Sequence, residues 1–251
     1  MDFRGKRALV TGASKGIGAA CALGFGRLGA AVTVHYKADA SGAAGVMGSI
    51  EAGGGRAVAI GADLAVWDEG ERLVATSEEA QGPLDVVVLN HGIWKGAAID
   101  RMTASEYDEM LDSNLRGVFS VAGAAARRMK ERRSGRLILI ASTAGQRGEP
   151  LHSHYAATKG AIISLTKSLA PELAPFGVLV NCVAPGWVGT PMTKAALNDA
   201  AIRDEVLATI PLRRVATPEE IAGPVLFLAS ELATFITGEI LNVNGGAVLV
   251  G

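Results

Sequence analysis

Seven short apolar runs, rich in Val, Ile and Leu, recur along the chain and constrain its fold more than any other feature. They span residues 7–10, 31–36, 57–61, 84–89, 137–140, 178–183 and 240–243. Apolar runs of this length with little polar alternation are typical of strands buried on both faces, as in a parallel sheet. Helical patterns lie between the runs, at 16–28, 103–133 and 155–173 and from Pro218 to about Ala229.

This alternation of strands and helices implies right-handed crossovers. It predicts an α/β fold, a Rossmann-like, doubly wound parallel sheet of about seven strands with helices on both faces. No linker, internal repeat or low-complexity stretch divides residues 1–251, so we expect one domain. The segment 190–210 interrupts the alternation. It predicts either a lid over the substrate or a pair of surface helices.

Charge and composition narrow the functions open to such a domain. The 251 residues carry a net charge of −1, with 49% apolar and 20% charged residues, which excludes a disordered chain and gives no sign of nucleic-acid binding. A basic cluster at 127–133 is interrupted by Glu131 and falls at a predicted helix end, where cations suit the helix dipole. No apolar run approaches the ~18 residues of a membrane span, and no secretory leader is evident, so we expect a cytoplasmic protein without membrane partners.

Cysteine and histidine usage points away from metal and disulfide chemistry. The two cysteines, Cys21 and Cys182, lie in apolar sequence, and the four histidines show no metal-ligand spacing. We therefore expect both thiols to be buried in the core of a protein from a reducing compartment, with no metal site.

A glycine-rich loop, Thr-Gly-Ala-Ser-Lys-Gly-Ile-Gly at 11–18, follows the first predicted strand and begins the first helix. Its glycines allow a tight turn, the close approach of a pyrophosphate and access to the helix N-terminus. Between a strand and a helix, such a loop predicts dinucleotide binding. The residues concerned are Gly12, Ser14, Lys15, Gly16, Ile17 and Gly18.

Tyr155 and Lys159 lie four residues apart in a predicted helix, and Ser142 precedes Tyr155 by thirteen residues. Residues at this spacing share a helix face, about 5–6 Å apart. A free phenol has a pKa of about 10, and we expect the Lys159 ammonium to lower the pKa of Tyr155 and suit it to proton transfer. Ser142 would donate to a substrate oxygen. Taken alone, the pair is more typical of a packed tyrosine and a solvated lysine.

These motifs, in this order, resemble those of the short-chain dehydrogenase/reductase family over essentially the whole chain. The shared residues are the loop Thr-Gly-x-x-x-Gly-x-Gly, Asp63-Leu64, Asn90-His91-Gly92, Asn114-Leu115, Ser142, Tyr155, Lys159, Pro185-Gly186, Thr190, Thr237-Gly238 and Asn244-Gly245-Gly246. The resemblance implies hydride transfer between a nicotinamide and a carbonyl or secondary alcohol. Ser142 would stabilise the substrate oxygen, Tyr155 would deliver its proton, and Lys159 would also bond the nicotinamide ribose.

For Asn114 the resemblance implies a bound water that links Lys159 to solvent. A polar residue in an apolar helix could instead bond the backbone of a neighbouring strand. His91 stands where the family commonly has alanine, which predicts a local adjustment of packing rather than a catalytic role.

The resemblance also assigns the remaining cofactor residues. They are Asp63 and Leu64 at the adenine, Asn90 and Gly92 beside the cofactor, Pro185 and Gly186, and Val188 and Thr190 near the carboxamide. The second strand ends at Tyr36 and Lys37, without the acid that would bond the ribose 2′-hydroxyl of NAD. Lys15 and Lys37 would attract a 2′-phosphate, so we expect a preference for NADP(H), with NAD(H) as the alternative.

Five residues are candidates for the substrate pocket, namely Trp94, Gln146, His152, Trp187 and Met192. The apolar ones suit a hydrophobic ketone or acyl chain. Within the family, residues 135–142 and 236–246 are most similar to bacterial 3-oxoacyl-[acyl-carrier-protein] reductases. Arg133 stands where those enzymes often keep a basic residue for the acidic carrier, but Phe176 replaces a second one.

The first interpretation is therefore an NADPH-dependent reductase of a 3-oxoacyl thioester or similar ketone. The alternative is an NAD(P)-dependent dehydrogenase of a sugar, polyol or other secondary alcohol. A third, a non-catalytic NADP(H) redox sensor, is disfavoured because such sensors usually lack the tyrosine or lysine. The leucine-rich stripe within 155–173 and the apolar ending 247–250 suggest symmetric packing, and family members are commonly tetramers, so we expect a homotetramer.

Overall fold

A parallel sheet forms the centre of the structure, a computed structural model that describes residues 1–250. Its strands are β1 (Arg7–Val10), β2 (Ala31–Tyr36), β3 (Arg56–Gly61), β4 (Val86–Leu89), β5 (Gly135–Ile140), β6 (Val178–Pro185) and β7 (Ile240–Val243). They are ordered β3-β2-β1-β4-β5-β6-β7, and every neighbouring pair is parallel. The predicted α/β class and doubly wound sheet are confirmed.

Helices cover both faces of this sheet. They are α1 (Gly16–Arg27), α2 (Ala40–Ala52), α3 (Trp67–Gln81), α4 (Ala104–Leu111), α5 (Gly117–Arg132), α6 (Ala144–Arg147), α7 (Ser153–Leu173), α8 (Lys194–Asn198), α9 (Ala200–Thr209) and α10 (Pro218–Ala229). Successive residues of a strand face opposite layers. Val86 and Val88 therefore join the core with α1, α2 and α10, whereas Val87 and Leu89 join the core with α3, α5 and α7.

The long helix predicted at 103–133 is present but not uniform. A capping box of Thr103 and Glu106 begins α4, and a π-helical segment (Asp112–Arg116) separates it from α5. A π segment widens a helix locally and is frequent at functional sites. This one turns Asn114 inward, where it is fully buried.

Two predictions about surfaces are changed by the structure. Ile162, Leu165 and Leu173 of α7 are at most 9% exposed and pack against the sheet, so the stripe predicted for symmetric packing belongs to the core. The segment 190–210 forms the predicted alternative of a helix pair, α8 and α9. Movement of this pair as a lid stays a prediction.

The position of the site follows from the strand order. The chain builds β1, β2 and β3 in one direction and then crosses back to add β4 beside β1. Loops that leave β1 and β4 therefore diverge and open a crevice at the carboxyl edge of the sheet. Within residues 1–250, no helix has the length and apolar character needed to cross a membrane. Cys21 and Cys182 are both buried, as predicted.

Candidate active site

A deep cleft opens at this carboxyl edge, and most of the predicted site residues lie on its wall. They are Gly12, Ser14, Lys15, Gly16, Ile17, Tyr36, Lys37, Asp63, Leu64, Asn90, Gly92, Trp94, Ser142, Tyr155, Lys159, Pro185, Gly186, Trp187, Val188, Thr190 and Met192. Gly18, Asn114, Gln146 and His152 do not line the cleft. The wall thus brings together residues from six strand ends and the first turns of α7.

The glycine loop is shaped to hold an anion. Gly12 and Gly16 have φ angles of 62° and 58°, in the left-handed region that favours glycine. No side chain caps the first turn of α1, so its N–H groups are free to bind a pyrophosphate. Gly18 was predicted to bind the cofactor directly. It does not line the cleft, and a side chain there would collide with the Gly12 carbonyl and the Asn90 amide. Direct contact of Gly18 with the cofactor stays a prediction.

Two ion pairs lie at the end of the cleft formed by β2 and β3. Lys15 Nζ is 3.4 Å from a carboxylate oxygen of Asp39, and Lys37 Nζ is 2.9 Å from one of Asp63. Partial burial opposes ionisation of Asp63, but hydrogen bonds from Lys37 and the backbone lower its pKa overall. The two predicted cations, Lys15 and Lys37, thus lie at the end of the cleft formed by β2 and β3, and each is paired with an aspartate.

The loop after β4 braces the glycine loop. Asn90 Nδ2 donates to the carbonyls of Thr11 and Gly12 at 3.0 and 3.1 Å. His91 Nδ1 lies 2.8 Å from Thr11 Oγ1, and burial, assisted by His35 and Lys159, lowers the pKa of His91 to about 3. His91 is therefore a neutral packing residue in this structure, in agreement with the predicted adjustment of packing.

Tyr155 and Lys159 project from α7 towards the end of β5, where Ser142 follows the strand. Lys159 is 5% exposed, its Nζ donates to the Ile140 carbonyl at 2.9 Å, and burial lowers its pKa to about 8. Burial raises the pKa of Tyr155 to about 12, although the neighbouring Ser142 hydroxyl opposes the shift. The predicted lowering of the Tyr155 pKa is wrong for this structure, since Lys159 Nζ lies 5.8 Å from the ring centroid and desolvation dominates.

Asn114 anchors the loop after β4 to the helical layer. Its Oδ1 accepts from the Ile93 N–H at 2.7 Å, and its Nδ2 donates to the Ile93 carbonyl at 2.9 Å. A side chain at Gly92 would lie 3.0 Å from Asn114 Oδ1 and 3.8 Å from Lys159 Nζ, so the amide is close to the lysine. The structure shows the backbone-bonding role that was the alternative for Asn114. The bound water stays a prediction.

Aromatic side chains line the part of the cleft for which a substrate pocket was predicted. Trp94 and Trp187 meet edge to face with centroids 5.7 Å apart, beside Met192. His152 stacks on Trp94 at 4.6 Å with an interplanar angle of 3°, so it supports the wall without lining it. Gln146 donates to Asn242 Oδ1 at 2.6 Å, towards β7. Gln146 and His152 therefore do not line the cleft in this structure, and their contact with the substrate stays a prediction.

Comparison with known proteins identifies the fold and the chemistry together. A family model described as Enoyl-(Acyl carrier protein) reductase matches residues 12–248. The chain is 42% identical over 243 residues to a 3-oxoacyl-[acyl-carrier-protein] reductase of Synechocystis sp., with 96% of both chains covered. The chain belongs to the short-chain dehydrogenase/reductase family. It is accordingly an oxidoreductase that acts on CH–OH or C=O groups with NAD(P) as its cofactor.

Other relatives of this short-chain dehydrogenase/reductase have different substrates in their names. It is 40% identical over 245 residues to an L-rhamnose 1-dehydrogenase (NAD(P)(+)) of Azotobacter vinelandii, with 96% of each chain covered. A crystal structure of a putative NAD(P)-dependent gluconate 5-dehydrogenase from Beutenbergia cavernae, with NADP bound at low occupancy, superposes with a TM-score of 0.93. That protein is 39% identical, and 98% of both chains is covered. Family membership therefore leaves the substrate open.

The cleft wall of this dehydrogenase/reductase also contains charged residues that the sequence did not indicate, among them Lys95, Glu109, Arg147 and Glu149. Arg147 and Glu149 lie on the cleft wall, in the segment between Ser142 and Tyr155. Glu149 Oε1 accepts from Trp94 Nε1 at 3.0 Å, whereas Arg147 is exposed and forms no ion pair within residues 1–250. Their position in the sequence could have indicated this, because a loop that joins Ser142 to Tyr155 must lie near both catalytic candidates.

Proposed function

We propose that this enzyme interconverts a ketone and a secondary alcohol with a preference for NADP(H), and that Ser142, Tyr155 and Lys159 perform the proton chemistry. The observation that carries this proposal is their convergence in one cleft with the uncapped N-terminus of α1. The nicotinamide, when bound, supplies or accepts the hydride.

In the direction of reduction, negative charge grows on the substrate oxygen. The Ser142 hydroxyl donates a hydrogen bond to it, and the Tyr155 hydroxyl transfers a proton to it. A Tyr155 pKa of about 12 keeps the phenol protonated at neutral pH, as a general acid requires. The Lys159 ammonium, 5.8 Å from the ring, stabilises the phenolate that remains.

The preference for NADP(H) is supported by Lys15 and Lys37. A 2′-phosphate would bring two further negative charges to the end of the cleft where these lysines lie. Asp39 and Asp63 already pair with them, so a 2′-phosphate would have to compete with these carboxylates for the two ammonium groups. Since these side chains are at least one-third exposed, their contribution depends on ionic strength.

For the substrate, a 3-oxoacyl thioester is the first candidate from sequence likeness and from the apolar wall of Trp94, Trp187 and Met192. On the outer surface, Lys130 Nζ lies 4.3 Å above the Phe176 ring and Arg133 also packs on it. Lys130 and Arg133 could meet an acidic carrier there.

A sugar or polyol is the second candidate, and Glu149 favours it. The Glu149 carboxylate on the cleft wall can accept hydrogen bonds from the hydroxyl groups of a sugar. An acyl chain against it would remove its bound water without replacing the hydrogen bonds, which is unfavourable. The relatives named for rhamnose and gluconate are consistent with this candidate.

The test is a steady-state assay of nicotinamide absorbance. An acetoacetyl thioester and simple ketones are offered with NADPH or NADH, and L-rhamnose, D-gluconate and polyols are offered with NADP+ or NAD+. Turnover that is abolished in Tyr155→Phe would support the proposal. Absence of turnover in every arm would overturn it in favour of a non-catalytic NADP(H) sensor.

We also propose that the enzyme is a homotetramer, as family resemblance implies. Leu232, Phe235 and Leu249 are large apolar side chains at least 67% exposed, which suits burial between subunits. Sedimentation of a monomer at micromolar concentration would contradict this state.

A further inference from the structure

Glu149 is an acidic residue on the wall of the cleft, and it has no role in the proton transfer described above. It lies in the short connection between α6 and α7, and its side chain is 22% exposed. Its Oε1 accepts the Trp94 indole N–H at 3.0 Å and lies 3.6 Å from His152 Nδ1. Its Oε2 makes no hydrogen bond to any residue in the range 1–250, so one oxygen of the carboxylate is available to a ligand.

The surroundings of Glu149 hold it in place. Trp94 is fixed by His152 stacked on one face and Trp187 against its edge. His152 Nδ1 lies 3.0 Å from the Pro150 carbonyl, which ties the stack to the same loop. A hydrogen-bond acceptor whose partner is rigid keeps its direction, and this is the condition for discriminating between substrates.

Glu149 is also close to the reacting atoms. It shares the cleft wall with Ser142 and Tyr155, and its charge adds to the rise in the pKa of the phenol. A substrate whose carbonyl oxygen lies between Ser142 and Tyr155 therefore shares its part of the cleft with the Glu149 carboxylate, and a group beside the reacting carbon can reach that carboxylate. Such a substrate displaces water from the Glu149 carboxylate. Binding is favourable only if a hydrogen-bond donor on the substrate replaces the bonds that the water made.

We propose that Glu149, oriented by Trp94, accepts a hydrogen bond from a hydroxyl group next to the reacting carbon and thereby selects hydroxylated ketones and polyols. This proposal rests on the proposed function, because it concerns the substrate of the same reaction, and it favours the second substrate candidate, a sugar or polyol, over the thioester. It makes Glu149 a specificity residue. It predicts that an adjacent hydroxyl improves kcat/KM, whereas an apolar group of similar size does not.

The test compares two ketones that differ by one hydroxyl, cyclohexanone and 2-hydroxycyclohexanone, each reduced with NADPH. Because hydrogen bonds to charged groups are stronger than neutral ones, the wild-type enzyme should prefer the hydroxyketone by about tenfold to a hundredfold in kcat/KM. Glu149→Leu should abolish the preference while it retains turnover of cyclohexanone, and Glu149→Gln should give an intermediate ratio. Trp94→Phe removes the indole donor together with part of the ring that stacks on His152, so it should also reduce the ratio.

Glu109→Gln provides the matched control. Glu109 is an acid on the same cleft wall, but its carboxylate is engaged by Lys95 at 2.6 Å, so the ratio should not change. Equal ratios in wild type and Glu149→Leu, or equal losses on both ketones, would overturn the role of Glu149 and leave the proposed function standing. No reduction of either ketone would also overturn the role of Glu149, whereas the proposed function itself would be overturned only if the thioester, ketone, sugar and polyol arms of the assay above gave no turnover as well.

Discussion

Replacement of Lys159 by methionine should stabilise the protein at neutral pH while it impairs turnover. Lys159 is 5% exposed, and its ammonium has one protein acceptor, the Ile140 carbonyl at 2.9 Å. Burial lowers the pKa of Lys159 from 10.5 to about 8. That difference corresponds to a cost of about 3 kcal/mol for holding the charge inside the folded protein.

Methionine fills similar volume without charge, but it leaves the Ile140 carbonyl unpaired, a loss of about 1–3 kcal/mol. The net gain in the free energy of unfolding is then about 1 kcal/mol, or roughly 2–4 °C in Tm for a chain of this length. Catalysis should fall in the same variant because the phenolate of Tyr155 loses its nearest cation.

The pH dependence gives the sharper test. Between about pH 8 and pH 10.5 the unfolded lysine holds a proton that the folded one releases. The wild-type protein therefore gains stability with rising pH in this window, and below it the full cost is present. The advantage of methionine should shrink across the window. Urea unfolding at each pH measures the difference in the free energy of unfolding between the variant and the wild type. The protein concentration is kept fixed, because association between subunits also changes the apparent stability.

Lys167→Met is the control, because Lys167 is exposed on the same helix and should show no such trend. The reasoning would be refuted by a Lys159→Met variant that is less stable than wild type by the same amount at every pH. That result would mean that burial does not penalise the ammonium.

Four further predictions test other parts of the site. Tyr155→Phe should lower kcat at least about a hundredfold with unchanged NADPH binding by fluorescence titration; retained turnover would exclude Tyr155 as the acid. Lys37→Ala should raise KM for NADPH about tenfold and leave KM for NADH nearly unchanged; equal changes would contradict recognition of a 2′-phosphate. Asn114→Ala should cost about 1–3 kcal/mol in urea unfolding, and an unchanged midpoint would contradict the anchoring role. Gly18→Ala should lower Tm, because the added methyl group would collide with the Gly12 backbone. Gly123→Ala adds a methyl group with no neighbouring atom within 4 Å, so the free energy of unfolding should rise by about 1 kcal/mol. Equal effects of the two substitutions in calorimetry would contradict this packing.

The strands were predictable because a strand that is buried on both faces requires a continuous run of apolar residues, which is visible in the sequence. Val86–Leu89 is entirely apolar and entirely buried. The helix α2 left no such mark, since Gly42, Gly45 and Gly48 give its sequence a low helical propensity. It forms because Val46 and Ile50 pack into the core on one side of the sheet. Tertiary packing decides this element, and a local pattern cannot report it.

At the site, spacing placed Tyr155 and Lys159 on one helical face, but spacing carries no information about solvent. The pKa of Tyr155 is raised, opposite to the prediction, because desolvation of the half-buried phenol outweighs the neighbouring groups that favour its ionisation. Glu149 was missed because it lies in a loop without periodicity. The residues around it, Gly148 and Leu151, have φ angles of 77° and 61°, a backbone conformation that a periodic sequence pattern does not report.

The π segment at Asp112–Arg116 has a genetic consequence. Such a segment accommodates about one residue more than a regular helix of the same length. Loss of one codon here would let α4 and α5 run on as a continuous α-helix, with the buried faces of both helices kept on the sheet. It would remove the inward turn of Asn114 that anchors Ile93. A single in-frame deletion in this segment would thus separate the scaffold from the active site, because the protein would fold while the loop at Ile93 lost its anchor.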